Sequence, residues 1–200
     1  MACALACATA ALTLAAPARA DIATIAPAQD TTIFQPVPGF TFELSSGAGP
    51  SLYFGINGQG NARRALVRYD VAGAVPAGAT ITSVSLAFRV DKSISSDLPP
   101  ALHRVSASWG EGASDSTMSG GGGQGGGTGI FAQQNDASWF SRFYNESGPS
   151  TLWSSVGGDF AATPSGTMLV GFVGDYAWPS SAGMVADVQS WLDDPAGNFG

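Results

Sequence analysis

Apolar and polar positions alternate along RRALVRYD, where Ala65, Val67 and Tyr69 interleave with Leu66, Arg68 and Asp70. A period of two is what a strand shows when one face meets a core and the other meets water. VPAGAT at 75–80 interrupts the run, because Pro76 fixes φ and Gly78 admits backbone angles that other residues avoid. Beyond this turn, Val84, Leu86, Phe88 and Val90 alternate with Ser83, Ser85, Ala87 and Arg89, predicting a second strand. Antiparallel pairing of the two is the simplest arrangement. LHRVSASW at 102–109 reads as a further strand that delivers Glu111 on a Trp-Gly-Glu-Gly corner.

Elsewhere the pattern predicts short strands. IATIAPAQDTTIFQ (22–35) reads as strand, turn, strand, and SLYFGI (51–56) and TMLVGFV (167–173) as one strand each. Pro36, Pro38, Gly39, Gly47, Gly49 and Pro50 mark a loop interrupted at most by a brief strand near Phe40 to Leu44. Eight of the ten residues 120–129 are glycine, so a flexible loop is expected over 119–129. No lysine follows and no strand-to-helix context surrounds it, which argues against a phosphate cradle. DASWFSRFYNESGPSTLWSSVGGDF (136–160) is aromatic but irregular, the character of a long covering or functional loop. One helix is predicted: Met184, Val185, Val188, Trp191 and Leu192 fall on one helical stripe, with Ser180 or Ser181 as cap and Pro195 as stop.

The order RRALVRYDV, VPAGATI, TSVSLAF, LHRV, WGEGASD, a glycine-rich insert, DASW, GGDF and MVADVQSWLDDPAGNFG resembles the DNRLRE domain family, related to carbohydrate-binding module family 96. The resemblance covers residues 22–200. It implies an exported bacterial all-β domain, an antiparallel jelly-roll-like β-sandwich with one short helix near the C-terminus, of a kind often appended to enzymes or surface proteins. Some relatives bind alginate-like polysaccharide, and no catalytic residues travel with the pattern. Relatives continue past NFGW into further strands, so the expectation is a sandwich lacking its last strands at Gly200.

Residues 1–20, MACALACATAALTLAAPARA, form an apolar run that ends in Ala-Arg-Ala before Asp21, as in a secretory signal cleaved after Ala20. The stretch is short, alanine-rich and broken by Pro17, a poor bilayer span. Cleavage leaves one domain at 21–200, secreted or at the cell surface and free of the membrane. It also removes both cysteines, Cys3 and Cys7, so core burial rather than disulfides must hold the fold. The formal net charge is −7, which makes nucleic acid and anionic membrane poor partners. Yet Arg63, Arg64, Arg68, Arg89, Lys92 and Arg104 all lie between 63 and 104, against Asp70, Asp91 and Asp97. Arg68, Arg89 and Arg104 at alternate positions would share the outer face of one sheet, either as a solvated face or as a site for an acidic glycan.

The chemistry-bearing residues are sparse. His103 is the only histidine and no GxSxG elbow occurs, so neither a zinc centre nor a serine triad has its parts. Glycoside cleavage needs only two suitably spaced carboxylates, for which Glu111, Asp115, Asp136, Glu146 and Asp159 are the candidates. Otherwise they cap turns, and Glu111 in particular is placed to lock the Trp-Gly-Glu-Gly corner. Asp30, Asp136 and Asp159 lie beside glycines or turns whose carbonyls would complete a structural calcium site, although no DxDxDG loop is present. Trp139, Phe140, Phe143, Tyr144 and Trp153 crowd the irregular segment. Either they stack on sugar rings or they plug the end of the fold; Trp109 and Trp191 are assigned to the core. The leading expectation is a non-catalytic carbohydrate-binding domain, with polysaccharide as partner and Trp139, Phe140, Tyr144 and Trp153, or Arg68, Arg89 and Arg104, as contacts. The alternatives are a structural or adhesive surface protein and a glycan-cleaving enzyme.

Overall fold

The computed structural model describes residues 21–93, 98–119 and 127–200. The signal segment with Cys3 and Cys7, Asp97 and most of the glycine-rich loop lie outside the described residues. In chain order the strands are β1 (Pro27–Phe34), β2 (Leu44–Ser46), β3 (Gly55–Ile56), β4 (Ala62–Tyr69), β5 (Leu86–Val90), β6 (Ala101–Leu102), β7 (Ile130–Phe131), β8 (Ser141–Phe143), β9 (Thr151–Leu152), β10 (Gly166–Thr167) and β11 (Gly174–Trp178). A helical turn α1 (Val71–Ala74) follows β4, and the helix α2 (Ala182–Asp193) lies near the C-terminus. Among the described residues every pairing is antiparallel, in one five-stranded sheet ordered β3-β4-β1-β2-β7 and three two-stranded ones, β10-β6, β11-β5 and β8-β9. The chain is therefore all-β with one helix near its C-terminus.

The centre of the large sheet is β1 against β4, with Thr31 opposite Leu66 and Ile33 opposite Arg64. Directly opposed residues share a face, so Arg64, Leu66 and Arg68 lie on the side of Ile33. That side carries the core: Ile33 and Leu66 pack with Val105, Trp109, Ala137, Trp139 and Trp153. The sequence pattern had β4 the other way round, with Ala65 and Val67 inward. Leu66 decides the matter, because it is the bulkier side chain and is the buried one. β1 is a single strand rather than two short ones, and Thr31 to Phe34 are all buried. A strand with neighbours on both edges and cover on both faces loses its alternation. Its threonines are satisfied within the fold, Thr31 with the Ser45 hydroxyl (3.3 Å) and Thr32 by accepting from the Tyr53 amide (2.9 Å).

Three further expectations are corrected. β5 does not pair with β4; it pairs with β11, where Phe88 stacks on Tyr176 and Trp178 at 5.7 and 4.7 Å and Arg89 faces Asp175. Turn α1, capped by Asp70, carries the chain away from β4 instead of back along it. The strand expected at 167–173 reduces to Thr167 at the end of β10 and a bridge from Val170 to Leu98, with β11 following at 174–178, and 102–109 reduces to β6 plus a bridge from Val105 to Phe160. The helix is where periodicity places it, with the Ser181 hydroxyl accepting from the Met184 amide at 3.1 Å and Met184 and Leu192 buried. Gln189 ties it to the 76–81 turn through the Ile81 amide and the Ala79 carbonyl.

Candidate functional site

The segment 104–107 runs antiparallel to 159–161: the Ser106 amide donates to the Asp159 carbonyl (2.9 Å) and the Ala161 amide to the Arg104 carbonyl (2.8 Å). Val105 is buried while Arg104 and Ser106 are exposed, as alternation along an extended chain requires. Above this floor sits a groove of about 490 Å³ lined by Arg64, Ser106, Ala107, Ser154, Ser155, Val156, Gly158, Asp159 and Phe160. Its size is in the range of small-molecule sites.

Arg64 reaches the groove because it is on the core face of β4. Its guanidinium lies 4.8 Å from the ring centres of both Trp139 and Phe160 and donates to the Gly157 carbonyl. No ion pair to Arg64 occurs among the described residues. Burial lowers its pKa below the ordinary arginine value, yet a guanidinium keeps its charge. The result is a half-buried cation over two aromatic rings, with no ion-paired acid among the described residues. Gly157 makes this approach feasible: it has φ +88°, and a Cβ there would press on both Arg64 and Trp139.

Asp159 lies on the same groove and accepts from the Ser154 and Ser155 amides, each at 2.8 Å. Slight burial pushes its pKa upward, but these amides, the Ser154 hydroxyl and the nearby Arg142 charge outweigh it and hold the carboxyl below the usual aspartate range. Phe160 and Val156 are 39% and 65% exposed. The groove thus offers one cation, one anion, serine hydroxyls and an aromatic edge.

The Trp-Gly-Glu-Gly corner is a different kind of site. Asp136, fully buried, accepts from the Ala113 amide (2.9 Å) and Ser114 amide (3.4 Å) with one oxygen and from the Gln133 amide (2.6 Å) with the other. Burial raises its pKa, an effect these hydrogen bonds only partly offset. Asp136, not Glu111, locks the corner. Glu111 accepts from the Asp30 amide at 3.2 Å and so ties the corner to β1. Gly112 has φ +72° and no room for a Cβ beside Asp136.

Several anticipated site residues sit elsewhere. Trp139 and Trp153 are buried at 7% and 6% exposure, with the Trp153 indole donating to the Ser138 carbonyl (2.9 Å). Their faces are spent on the core, and they are removed as displayed sugar platforms. Phe140 and Tyr144 are half-buried, Phe140 against that core. Trp109 is buried as expected, donating to the Phe199 carbonyl at 2.7 Å. The three arginines do not share a face. Arg68 lies on the core side of β4 and donates to Gln29 (2.9 Å); Arg89 pairs with Asp91 and Asp175 at 3.0 Å each on β5; Arg104 lies beside α2, 3.7 Å from Asp187.

The carboxylate candidates are dispersed and mostly cap turns: Asp115 accepts from the Thr117 amide and Glu146 from the Gln134 amide. His103 meets the Ala161 carbonyl at 2.8 Å and the Phe160 ring edge-on. Among the described residues no three His, Cys, Asp or Glu side chains converge as a metal ion would need. Asp136 and Asp159, two of the three calcium candidates, instead receive backbone amides; Asp30 has its pKa raised by burial and by Glu111. Among the described residues no helix is long and apolar enough to cross a membrane. No protein-family model, curated protein or solved structure matches this chain.

Proposed function

We propose that this chain is an exported, non-catalytic carbohydrate-binding domain of jelly-roll β-sandwich type, and that it holds a carboxylate-bearing polysaccharide in the Arg64 groove. The observation that carries the reading is the guanidinium of Arg64, over the rings of Trp139 and Phe160 and, among the described residues, without an ion-paired acid. A planar guanidinium with free N–H groups matches a uronate carboxylate in two-point fashion. Phe160 offers an apolar edge to the sugar's C–H surface, while Ser106, Ser154 and Asp159 supply hydroxyl partners. The family resemblance in the motif order supports the same class of ligand. Asp159 is the one carboxylate lining this groove and Asp194 the one lining its neighbour, so neither lining offers an acid–base pair.

The test is calorimetric titration with oligouronates and with neutral oligosaccharides of equal length. Arg64→Ala is expected to weaken oligouronate binding about tenfold to a hundredfold, the worth of a charge-assisted hydrogen-bonded contact. Arg64→Lys should retain part of the affinity, and Arg89→Ala, at a solvent-exposed ion pair outside the groove, should cause no loss. Equal binding of neutral sugars, or indifference to Arg64→Ala in a folded variant, sinks the reading.

One feature favours a structural role instead. Phe40, Phe42 and Phe131 are 53%, 45% and 65% exposed, and the Phe42 ring contacts both of the others, at β7 on the sheet's edge. Self-association abolished by Phe131→Ser, with no oligouronate binding, would select that alternative.

A further inference from the structure

The Arg64 groove has a neighbour. A second groove of about 280 Å³ is lined by Arg104, Val105, Ser106, Ser190, Asp194, Gly197 and Phe199. Ser106 lines both, so the two adjoin at that residue. Their chemistry repeats. The first presents Arg64, Asp159, Phe160 and the serines 154 and 155; the second presents Arg104, Asp194, Phe199 and Ser190. Arg104 is only loosely held, 3.7 Å from Asp187 and 3.4 Å from the Ser190 hydroxyl, with its side chain 45% exposed.

Resting on the proposed acidic-polysaccharide reading, we infer that the two grooves are consecutive subsites for one repeating anionic chain, with Arg64 anchoring one uronate and Arg104 another farther along. A duplicated set of one guanidinium, one carboxylate, one aromatic edge and a serine hydroxyl fits a polymer whose own groups recur. It has no such logic for a single small ligand. Arg64 is the stronger anchor, since it is the less solvated of the two and, among the described residues, has no carboxylate in ion-pair contact. Arg104 must exchange its long contact with Asp187 for the ligand.

The experiment measures the affinity of the full chain for oligouronates from disaccharide to octasaccharide, for the unsubstituted protein and for Arg104→Ala and Arg64→Ala. Affinity is expected to rise about tenfold across the series. Arg104→Ala, at an exposed side chain, should erase that rise while leaving the shortest ligand unaffected, whereas Arg64→Ala weakens every length. If affinity reaches its plateau at the disaccharide, or if Arg104→Ala leaves the longest ligand unchanged, the second subsite is overturned and the single Arg64 site stands. If no oligouronate of any length binds the unsubstituted chain, both fall together.

Discussion

Asp136 and Asp159 lie in two regions built from similar parts, a turn whose amides point at one carboxylate, yet they serve opposite ends. At the Trp-Gly-Glu-Gly corner the carboxylate is fully buried and both of its oxygens are consumed by the amides of Gln133, Ala113 and Ser114. In the groove the carboxylate is open to solvent on one side and holds the amides of Ser154 and Ser155 and the Ser154 hydroxyl. A polar group satisfied wholly from within is structure; one satisfied in part, beside an unpaired cation, is available to a ligand. The difference comes from burial, because the residue type is the same.

The largest expected effect breaks the corner. Asp136→Ala leaves three amides without their acceptor in the interior and should cost about 3 kcal/mol or more. Asp159→Ala exposes its two amides to water and should cost roughly 1 kcal/mol or less. Urea unfolding of both variants measures the ratio, and equal losses would erase the distinction drawn between the two turns.

A smaller effect sharpens the comparison through pH. The Asp136 pKa is raised in the fold, chiefly by burial, so its favourable contribution is complete below the ordinary aspartate pKa of about 4. It is lost as pH rises through the higher folded value. The gap in stability between the unsubstituted chain and Asp136→Asn should therefore widen as pH falls from neutrality toward about 4. The Asp159 pKa is depressed by its amides and Arg142, against a slight upward push from burial. Its contribution is present above about 4 and lost as pH falls through the lower folded value. The gap to Asp159→Asn should close on acidification below that point. Unfolding free energies of the three proteins across the acid range check both signs.

How much of this was legible in the sequence varies with the range of the interactions. The α2 helix could be read because its stripe, its Ser181 cap and the Pro195 stop are local signals. β4 could be read as a strand for the same reason, but not its facing, since Arg64 looks like a solvent residue until Trp139 and the 157–160 loop fold over it. The acceptor of its guanidinium is 93 residues away. The partner of β5 was hidden likewise: β11 meets it through Phe88, Tyr176 and Trp178, and nothing in the 75–80 turn announces that the chain will not double back. The aromatic crowd at 139–153 was visible as a crowd. Display and burial use the same residues, and here the core claimed Trp139 and Trp153. The pairing of Gly157 with an arginine between two rings left only its glycines as a local signal.

The most direct measurement is an amide chemical-shift titration of the isotopically labelled chain with an oligouronate. Shifts are expected to concentrate on Ser106, Ser154, Ser155, Gly158 and Asp159 and on the Arg64 side-chain Nε–H, with Gly110 to Ser114 and Gln133 to Asp136 unmoved. Shifts centred on Phe40, Phe42 and Phe131, on Arg89, or nowhere at all would contradict the assignment of the groove as the binding site.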